Sequence, residues 1–154
     1  MQDSGVREKV VFKLGNDAWH GYQTEALWAK KVEDDVYQLD NSPFFANDVS
    51  YRDVIAVERK DGQLFFQSVK KRSGHSTYRV ILNEGLTHHH FTKFWEHILK
   101  HGCTYEHGDM LSLPLYTIDV PHNSDIEEVY AWLVEGENED IWDFEEAHYF
   151  RKLN

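Results

Sequence analysis

Histidines are the side chains in this sequence that most readily suggest a metal site or proton transfer. Eight of the ten follow residue 82, and His97 and His101 are four residues apart, a spacing that places two imidazoles on one face of a helix. Ile98 and Leu99 follow His97, so no HExxH motif is present. A zinc site would need further ligands from outside this helix. The favoured interpretation is a solvated helix flank that carries histidines, with no metal and no cofactor.

A second candidate site is the basic segment around Gly74. Its chemically useful side chains are Lys71, Arg72, Ser73, His75, Ser76 and Arg79. Backbone amides of a glycine turn and neighbouring cations can hold a phosphate or carboxylate, and His75 could activate a serine hydroxyl. The segment has neither the GxxxxGK[ST] spacing of a phosphate-binding loop nor the GxSxG motif of a hydrolase nucleophile. An ordinary polar hairpin end is favoured, and an anion, ligand or catalytic site is the alternative.

Carboxylates dominate the second half of the chain. Residues 1–82 contain twelve Lys and Arg and twelve Asp and Glu, whereas residues 83–154 contain four and fifteen, so the whole net charge of −11 lies in the second half. Catalytic carboxylate pairs need a cleft and one shielded group, whereas a run of carboxylates between a helix and a strand is solvated. We therefore expect a surface that contacts a basic partner, formed by Trp132, Glu135, Glu137, Glu139, Asp140, Asp143 and Glu145.

The composition excludes several classes of protein. With 154 residues, of which 41% are hydrophobic, the chain is long enough for one domain or two small ones and is not typical of disorder. Its longest apolar run, residues 129–134, is far shorter than the roughly 20 residues that cross a bilayer, and no signal peptide is recognisable. The single Cys103 agrees with a reducing compartment. We expect a cytoplasmic protein that binds neither nucleic acid nor membranes directly, because its acidic half repels both.

The first half of the chain has the pattern of short strands. Apolar and β-branched residues cluster in segments separated by turn residues, and Asp61-Gly62 indicates a two-residue hairpin turn. No helical periodicity is present in this half. We expect a small antiparallel barrel-like subdomain over residues 1–73.

The second half changes to helical periodicity. Apolar residues recur at helical spacing over residues 87–100 and again in a second helix that begins at Ser124 and ends at Gly136. Strands surround these helices, two of them on either side of residues 107–109. The resulting order β-α-β-β-α-β predicts a ferredoxin-like subdomain over residues 74–154, and hence an α+β protein.

Several segments resemble an uncharacterised bacterial family described only as a domain of unknown function. The matching features extend over most of the chain and are Trp28, Pro43-Phe44, Asp53, Gly74-His75-Ser76-Thr77 with Arg79, Ile118-Asp119-Val120-Pro121, and Trp142 with Glu145-Glu146. The resemblance implies a small bacterial cytosolic protein and implies no reaction. Small acidic proteins of this kind are similar in size and charge to immunity proteins that neutralise bacterial toxins.

The favoured function is a non-enzymatic, acidic protein-binding module. We expect an immunity or antitoxin-type inhibitor that docks on a basic toxin and blocks its active site, because a negative surface complements the cationic clefts of enzymes that act on nucleic acids. The alternative is a small enzyme or an anion-binding or ligand-binding protein that uses residues 73–79. A scaffold protein is the third possibility.

Overall fold

The computed structural model describes residues 6–15, 18–110 and 113–150, which form nine strands and two helices. In chain order these elements are β1 (Arg7–Lys13), β2 (Thr24–Glu33), β3 (Val36–Leu39), β4 (Val54–Lys60), β5 (Gln63–Lys71), β6 (Ser76–Leu82), α1 (His88–Leu99), β7 (Thr104–Met110), β8 (Leu113–Val120), α2 (Ile126–Asn138) and β9 (Trp142–His148). The predicted α+β class, with mostly antiparallel sheets and two helices, is confirmed.

The first five strands close into a barrel in the order β1-β2-β3-β4-β5. Sequential strands pair in antiparallel fashion, whereas β1 closes the barrel by pairing with β5 in parallel. The sequence predicts an antiparallel barrel, and the parallel pairing of β1 with β5 differs from that prediction. Alternate side chains point inward and form one apolar cluster, which includes Val10, Leu27, Leu39, Ile55 and Leu64.

The predicted hairpin between β4 and β5 is confirmed. Lys60 pairs with Gln63, and the two turn residues between them, Asp61 and Gly62, have φ angles of 53° and 79°. A two-residue turn with positive φ at both positions matches the twist of the flanking strands. Asp tolerates this conformation better than most residues do, and Gly adopts it without strain.

The other four strands form a second sheet in the order β7-β8-β6-β9, in which all neighbours are antiparallel. Helices α1 and α2 pack on one face of this sheet. Tyr78 and Ile118 on that face join Phe91 and Ile98 of α1 and Leu133 of α2 in one buried cluster. Burial of these apolar side chains provides the main driving force that fixes the helices to the sheet.

Part of the opposite face of the second sheet is covered by residues 40–53, the connection between β3 and β4 of the barrel. The contacts are polar. Thr117 Oγ1 donates to the Pro43 carbonyl at 2.8 Å, and the hydroxyls of Ser50 and Thr77 are 2.6 Å apart. The four residues in these two pairs are buried, so both hydrogen bonds are shielded from water.

Strand β7 is longer than the sequence predicts. Residues 107–109, which were expected to separate two strands, belong to β7 and pair with β8, with Gly108 opposite Leu115. The turn residues expected at this place do not interrupt the pairing, because a glycine within an edge strand can keep extended backbone geometry. Strand β7 ends at Met110, and β8 begins at Leu113.

Helix α2 also differs at both ends from the sequence prediction. Asp125 is the N-cap, and its carboxylate accepts a hydrogen bond from the Glu128 N–H at 3.2 Å. The Ser124 hydroxyl donates instead to the His101 carbonyl. The helix continues past Gly136 to Asn138.

No helix among the described residues is both long and apolar enough to cross a membrane.

The boundary between the predicted subdomains, at residues 73 and 74, falls in the connection that leads from β5 of the barrel to β6 of the second sheet. The division into residues 1–73 and 74–154 stays a prediction. The polar contacts of residues 40–53 tie the two sheets together.

Candidate functional site

Four of the predicted partner-binding carboxylates lie together at the carboxyl end of α2. Glu135, Glu137, Glu139 and Asp140 are all exposed, and the last turn of the helix contains no basic residue. None of the four forms an ion pair with a cation in the described part of the chain. We call these four residues the acidic end of α2.

Trp132, the predicted aromatic anchor, is only half-buried but is not free. Its indole stacks on the imidazole of His97, with ring centroids 3.8 Å apart and planes 6° from parallel, and it meets Phe94 edge to face. The ring thus covers the rim of the helical core. A partner would contact only its outer part.

Asp143 and Glu145 lie on a different surface from the acidic end of α2. Side chains alternate along β9, so Trp142 points into the helical core and its neighbour Asp143 points to the opposite face. Glu145 Oε1 accepts a hydrogen bond from Arg79 Nε at 2.8 Å. The predicted contact surface is therefore divided into two groups.

Beside Asp143 and Glu145 is a cleft that is not predictable from the sequence. It has a volume of about 530 Å³ and lies between one end of the barrel and the second sheet. A smaller pocket of about 170 Å³ adjoins it and shares Trp19, Arg79 and Glu145. We call the two together the Trp19 cleft, with walls formed chiefly by Trp19, Phe45, Arg79, Asp143 and Glu145.

Aromatic rings form much of the wall of the Trp19 cleft. His20 and Tyr22 pack on Phe45, with ring centroids 4.3 Å and 4.9 Å from it. Burial lowers the pKa of His20, so its imidazole is held in the neutral form more strongly than an exposed histidine. The only sequence signal of this cleft is the concentration of aromatic residues between residues 19 and 22, because Phe45 and Glu145 join it from distant parts of the chain.

The basic segment around Gly74 connects the barrel to the second sheet. Arg72 Nη1 lies 3.2 Å from Asp53 Oδ2, and the Ser73 N–H donates to Asp53 Oδ1 at 2.8 Å. The Ser73 hydroxyl donates to the Tyr51 carbonyl, and the Ser76 hydroxyl accepts from the Phe150 N–H. The arginine and both hydroxyls are thus engaged within the protein. Lys71, at the end of β5, is exposed.

His75 forms the most chemically suggestive pair in this segment. Its Nδ1 lies 2.8 and 2.9 Å from the two carboxylate oxygens of Asp119, and both side chains are largely buried. Such a carboxylate can orient an imidazole as a general base. Within the described residues, however, the His75 ring has no hydrogen bond to a serine or cysteine. Burial raises the pKa of Cys103 to about 12, which makes its thiol a poor nucleophile.

A family profile described as a domain of unknown function (DUF4265) matches residues 25–144. The chain belongs to the DUF4265 family. The predicted resemblance to a family of unknown function is confirmed, and the match supports no acidic or immunity-type character for the family. The matched span includes the acidic end of α2 and Asp143, whereas Trp19 and Glu145 lie outside it.

The structure of this DUF4265 protein is similar to the crystal structure of a hypothetical protein from Neisseria gonorrhoeae. The TM-score is 0.78, with 94% of this chain and 98% of the other covered, at 18% sequence identity. This likeness establishes a shared fold. No curated protein matches the chain.

Three histidines of α1 in this DUF4265 chain have structural contacts. His90 Nδ1 accepts from the Thr87 N–H at the start of α1, His88 Nδ1 lies 2.8 Å from the Tyr116 hydroxyl, and His97 stacks on Trp132. In the parts of the chain that are described, no three His, Cys, Asp or Glu side chains come together as a metal site requires.

His148 gives the first testable prediction, because its Nε2 is buried with no hydrogen-bond partner among the described residues. Burial lowers the pKa of His148, and the charge of Arg72 lowers it further. The unfolded chain therefore binds a proton more readily, so the free energy of unfolding is expected to fall as the pH falls below about 6.5. Urea unfolding at about pH 7.5 and about pH 5.5 measures this loss.

His148→Gln is expected to reduce the loss of stability between these two pH values. The matched control is His89→Gln on the exposed side of α1, which is expected to leave the pH dependence as it is in the parent protein. If the His148 variant and the parent protein lose the same free energy of unfolding between these pH values, burial of His148 is not the cause of the loss. Burial also lowers the pKa of His20, so part of the loss is expected to remain.

Proposed function

We propose that this protein is a non-enzymatic module that binds a basic protein. Its most concrete form is an immunity or antitoxin-type inhibitor that docks on a basic toxin and covers the toxin's active site in the cytoplasm. The observation that carries the proposal is the acidic end of α2, where Glu135, Glu137, Glu139 and Asp140 are exposed and no cation neutralises them within the described residues.

The position of these carboxylates is unfavourable for the helix itself. The carboxyl end of a helix carries a partial negative charge, so cations stabilise it and anions destabilise it by roughly 0.3–1 kcal/mol each. Glu135 and Glu137 lie near the carboxyl end of α2, Glu139 is its C-cap, and the last turn has no basic residue. A surface with no role in binding would gain stability from a lysine here. The loss of stability is explained if the same charges increase the affinity for a cationic partner.

The charge distribution also supports electrostatic steering. All of the net charge of −11 lies in residues 83–154, and residues 1–82 are neutral overall. A field of one sign over one part of a small protein orients an oppositely charged partner before contact. It raises association rates by roughly 10-fold to 1000-fold at low salt, and added salt screens it.

We further propose that the second sheet and its two helices form a ferredoxin-like unit. The strand order β7-β8-β6-β9 supports this proposal, since in a split βαβ plan each helix joins two strands that are separated by a third. Such a unit needs no cofactor, and its helical layer presents α2 on the outside of the protein.

Neutralising the acidic end of α2 is expected to slow binding and to stabilise the fold at the same time. The variant is Glu137→Gln, Glu139→Gln and Asp140→Asn, where asparagine suits the φ of 59° at residue 140. At low salt the association rate with the native partner should fall about tenfold. The partner is obtained by pull-down from cells that produce the protein, and surface-immobilised kinetics at several ionic strengths measure the rate.

A matched control removes the same charge from the barrel. Glu33→Gln, Glu58→Gln and Asp35→Asn change three exposed carboxylates, and Asp35 has the same left-handed backbone, with φ of 61°. The control should bind as the parent protein does. If no stable protein partner is recovered, or if association does not respond to ionic strength, the proposed function is wrong. A captured toxin that remains active in the complex would contradict the inhibitor role alone.

A further inference from the structure

The Trp19 cleft has the chemistry of a receptor for a planar cation. We propose that it binds an arginine side chain of the basic partner, with the guanidinium stacked on Trp19 and facing Asp143. This inference rests on the proposed function and names the group that the second carboxylate surface recognises. Three observations support it: Trp19 is exposed, Asp143 and Glu145 have oxygens without a partner among the described residues, and Arg79 already donates to groups within the protein.

Trp19 is 51% exposed although it is one of the largest apolar side chains in the protein. His20 and Phe45 meet the indole edge to face, at centroid distances of 5.4 Å and 6.5 Å, and hold it in place. Neither of them covers the indole by parallel stacking. An indole face supported in this way is the strongest aromatic acceptor for a cation, and arginine is the cation that most often stacks on it.

The buried cation of the cleft, Arg79, is not available for an anion, and Lys13 is directed to a ring outside the cleft. Arg79 is 2% exposed and donates to Glu145 Oε1, to the Ala46 carbonyl and to Asn47 Oδ1. Lys13 contributes its side chain to the wall, but its Nζ lies over the Phe65 ring, 5.7 Å from the centroid, and Phe65 does not line the cleft. An anionic ligand would therefore find few free donors here.

The carboxylates, in contrast, retain free acceptors. Asp143 is exposed and has no ion pair with any described residue, and Glu145 uses only Oε1 in its contact with Arg79. An uncompensated carboxylate next to an exposed indole favours a guanidinium over a neutral group, because one planar cation can stack on the ring and donate two parallel hydrogen bonds to the carboxylate. An ammonium group makes the same charge contact without the stacking.

The test uses the full chain and N-acetyl-L-arginine amide as the probe. A titration of ¹⁵N-labelled protein is followed by NMR, and the Trp19 indole cross-peak is identified by its absence from the spectrum of Trp19→Phe. We expect this cross-peak to shift in a saturable way. The citrulline analogue, which has the same shape without the charge, should cause no saturable shift, and N-acetyl-L-lysine amide should bind more weakly than the arginine probe.

Two variants separate the parts of the site. Asp143→Asn should weaken the arginine probe about threefold to fivefold, and Trp19→Ala, followed at the amide of Phe144, should weaken it about fivefold or more. Both residues are exposed, so both variants are expected to fold. Absence of a saturable shift, or an equal response to arginine and citrulline, would overturn the proposal.

The arginine site and the proposed function can fail independently of each other. If the partner's association depends on the acidic end of α2 but the arginine probe does not bind, the cleft assignment alone is wrong. If the probe binds as expected but no basic partner is found, the cleft remains a guanidinium site and the proposed function is wrong.

Discussion

Replacing Arg79 with methionine is expected to lower the free energy of unfolding by about 3 kcal/mol. Arg79 is buried at the contact between β6 and residues 40–53, where it donates to the Ala46 carbonyl at 2.8 Å and to Asn47. Methionine fills a similar volume but leaves the buried Ala46 carbonyl without this donor. Each buried acceptor left in this way costs roughly 1–3 kcal/mol. Chemical denaturation measures the change.

The control for Arg79 is Arg59→Met on the barrel. Arg59 is half-exposed and lies 3.5 Å from Glu8, an ion pair of the kind that contributes about 0–1 kcal/mol. A loss of less than about 1 kcal/mol in the Arg79 variant would mean that residues 40–53 are held to the sheet by other contacts. Hydrogen exchange at the amides of residues 40–53 would then stay as slow as in the parent protein.

Replacing Gly136 with alanine is expected to destabilise the protein by about 2–3 kcal/mol, although the same change at an exposed site inside a helix stabilises by about 1 kcal/mol. A Cβ atom at Gly136 would lie 2.5 Å from Trp142 Cζ2, far inside contact distance. Trp142 cannot move away easily, because its ring is fully buried and its Nε1 donates to the Leu133 carbonyl at 2.9 Å. A destabilising effect would show that packing against Trp142 outweighs helix propensity, and a stabilising effect would show the reverse.

Asn138→Ala, in the exposed last turn of the same helix, is the matched control and should be neutral or slightly stabilising. The double variant Gly136→Ala, Trp142→Phe tests the stated contact, since a smaller ring leaves room for the new methyl group. The combined loss should be clearly less than the sum of the two single losses. Additive losses, or a stabilising Gly136→Ala, would contradict the clash.

Elements that depend on neighbouring residues are predictable from this sequence. The spacing of apolar residues predicts a helix over residues 87–100, and the structure has α1 at His88–Leu99. The Asp61-Gly62 hairpin follows from two residues whose backbone preferences suit one turn. In both cases residues close together in the sequence determine the local structure, and tertiary contacts stabilise it further.

Features that depend on distant residues are not predictable in the same way. Gly136 predicts the end of a helix, because glycine often follows the last helical residue. In the structure it lies inside α2, where Trp142 of β9 occupies the space next to it. Residues 40–53 contain turn signals that give no indication of a contact with Thr117. The Trp19 cleft combines residues from the first and the last parts of the chain, so the sequence indicates its aromatic character and not its existence.

The position of residues 40–53 in the chain has a consequence for synthesis. These residues leave the ribosome before β6 and β8, which they cover in the finished protein, so their carbonyls stay hydrated while the second sheet is still being made. The barrel strands can pair early, but the junction can close only after β8 and β9 have emerged. The junction is therefore expected to close late in folding, and a chain that stops before β8 would keep these carbonyls bonded to water.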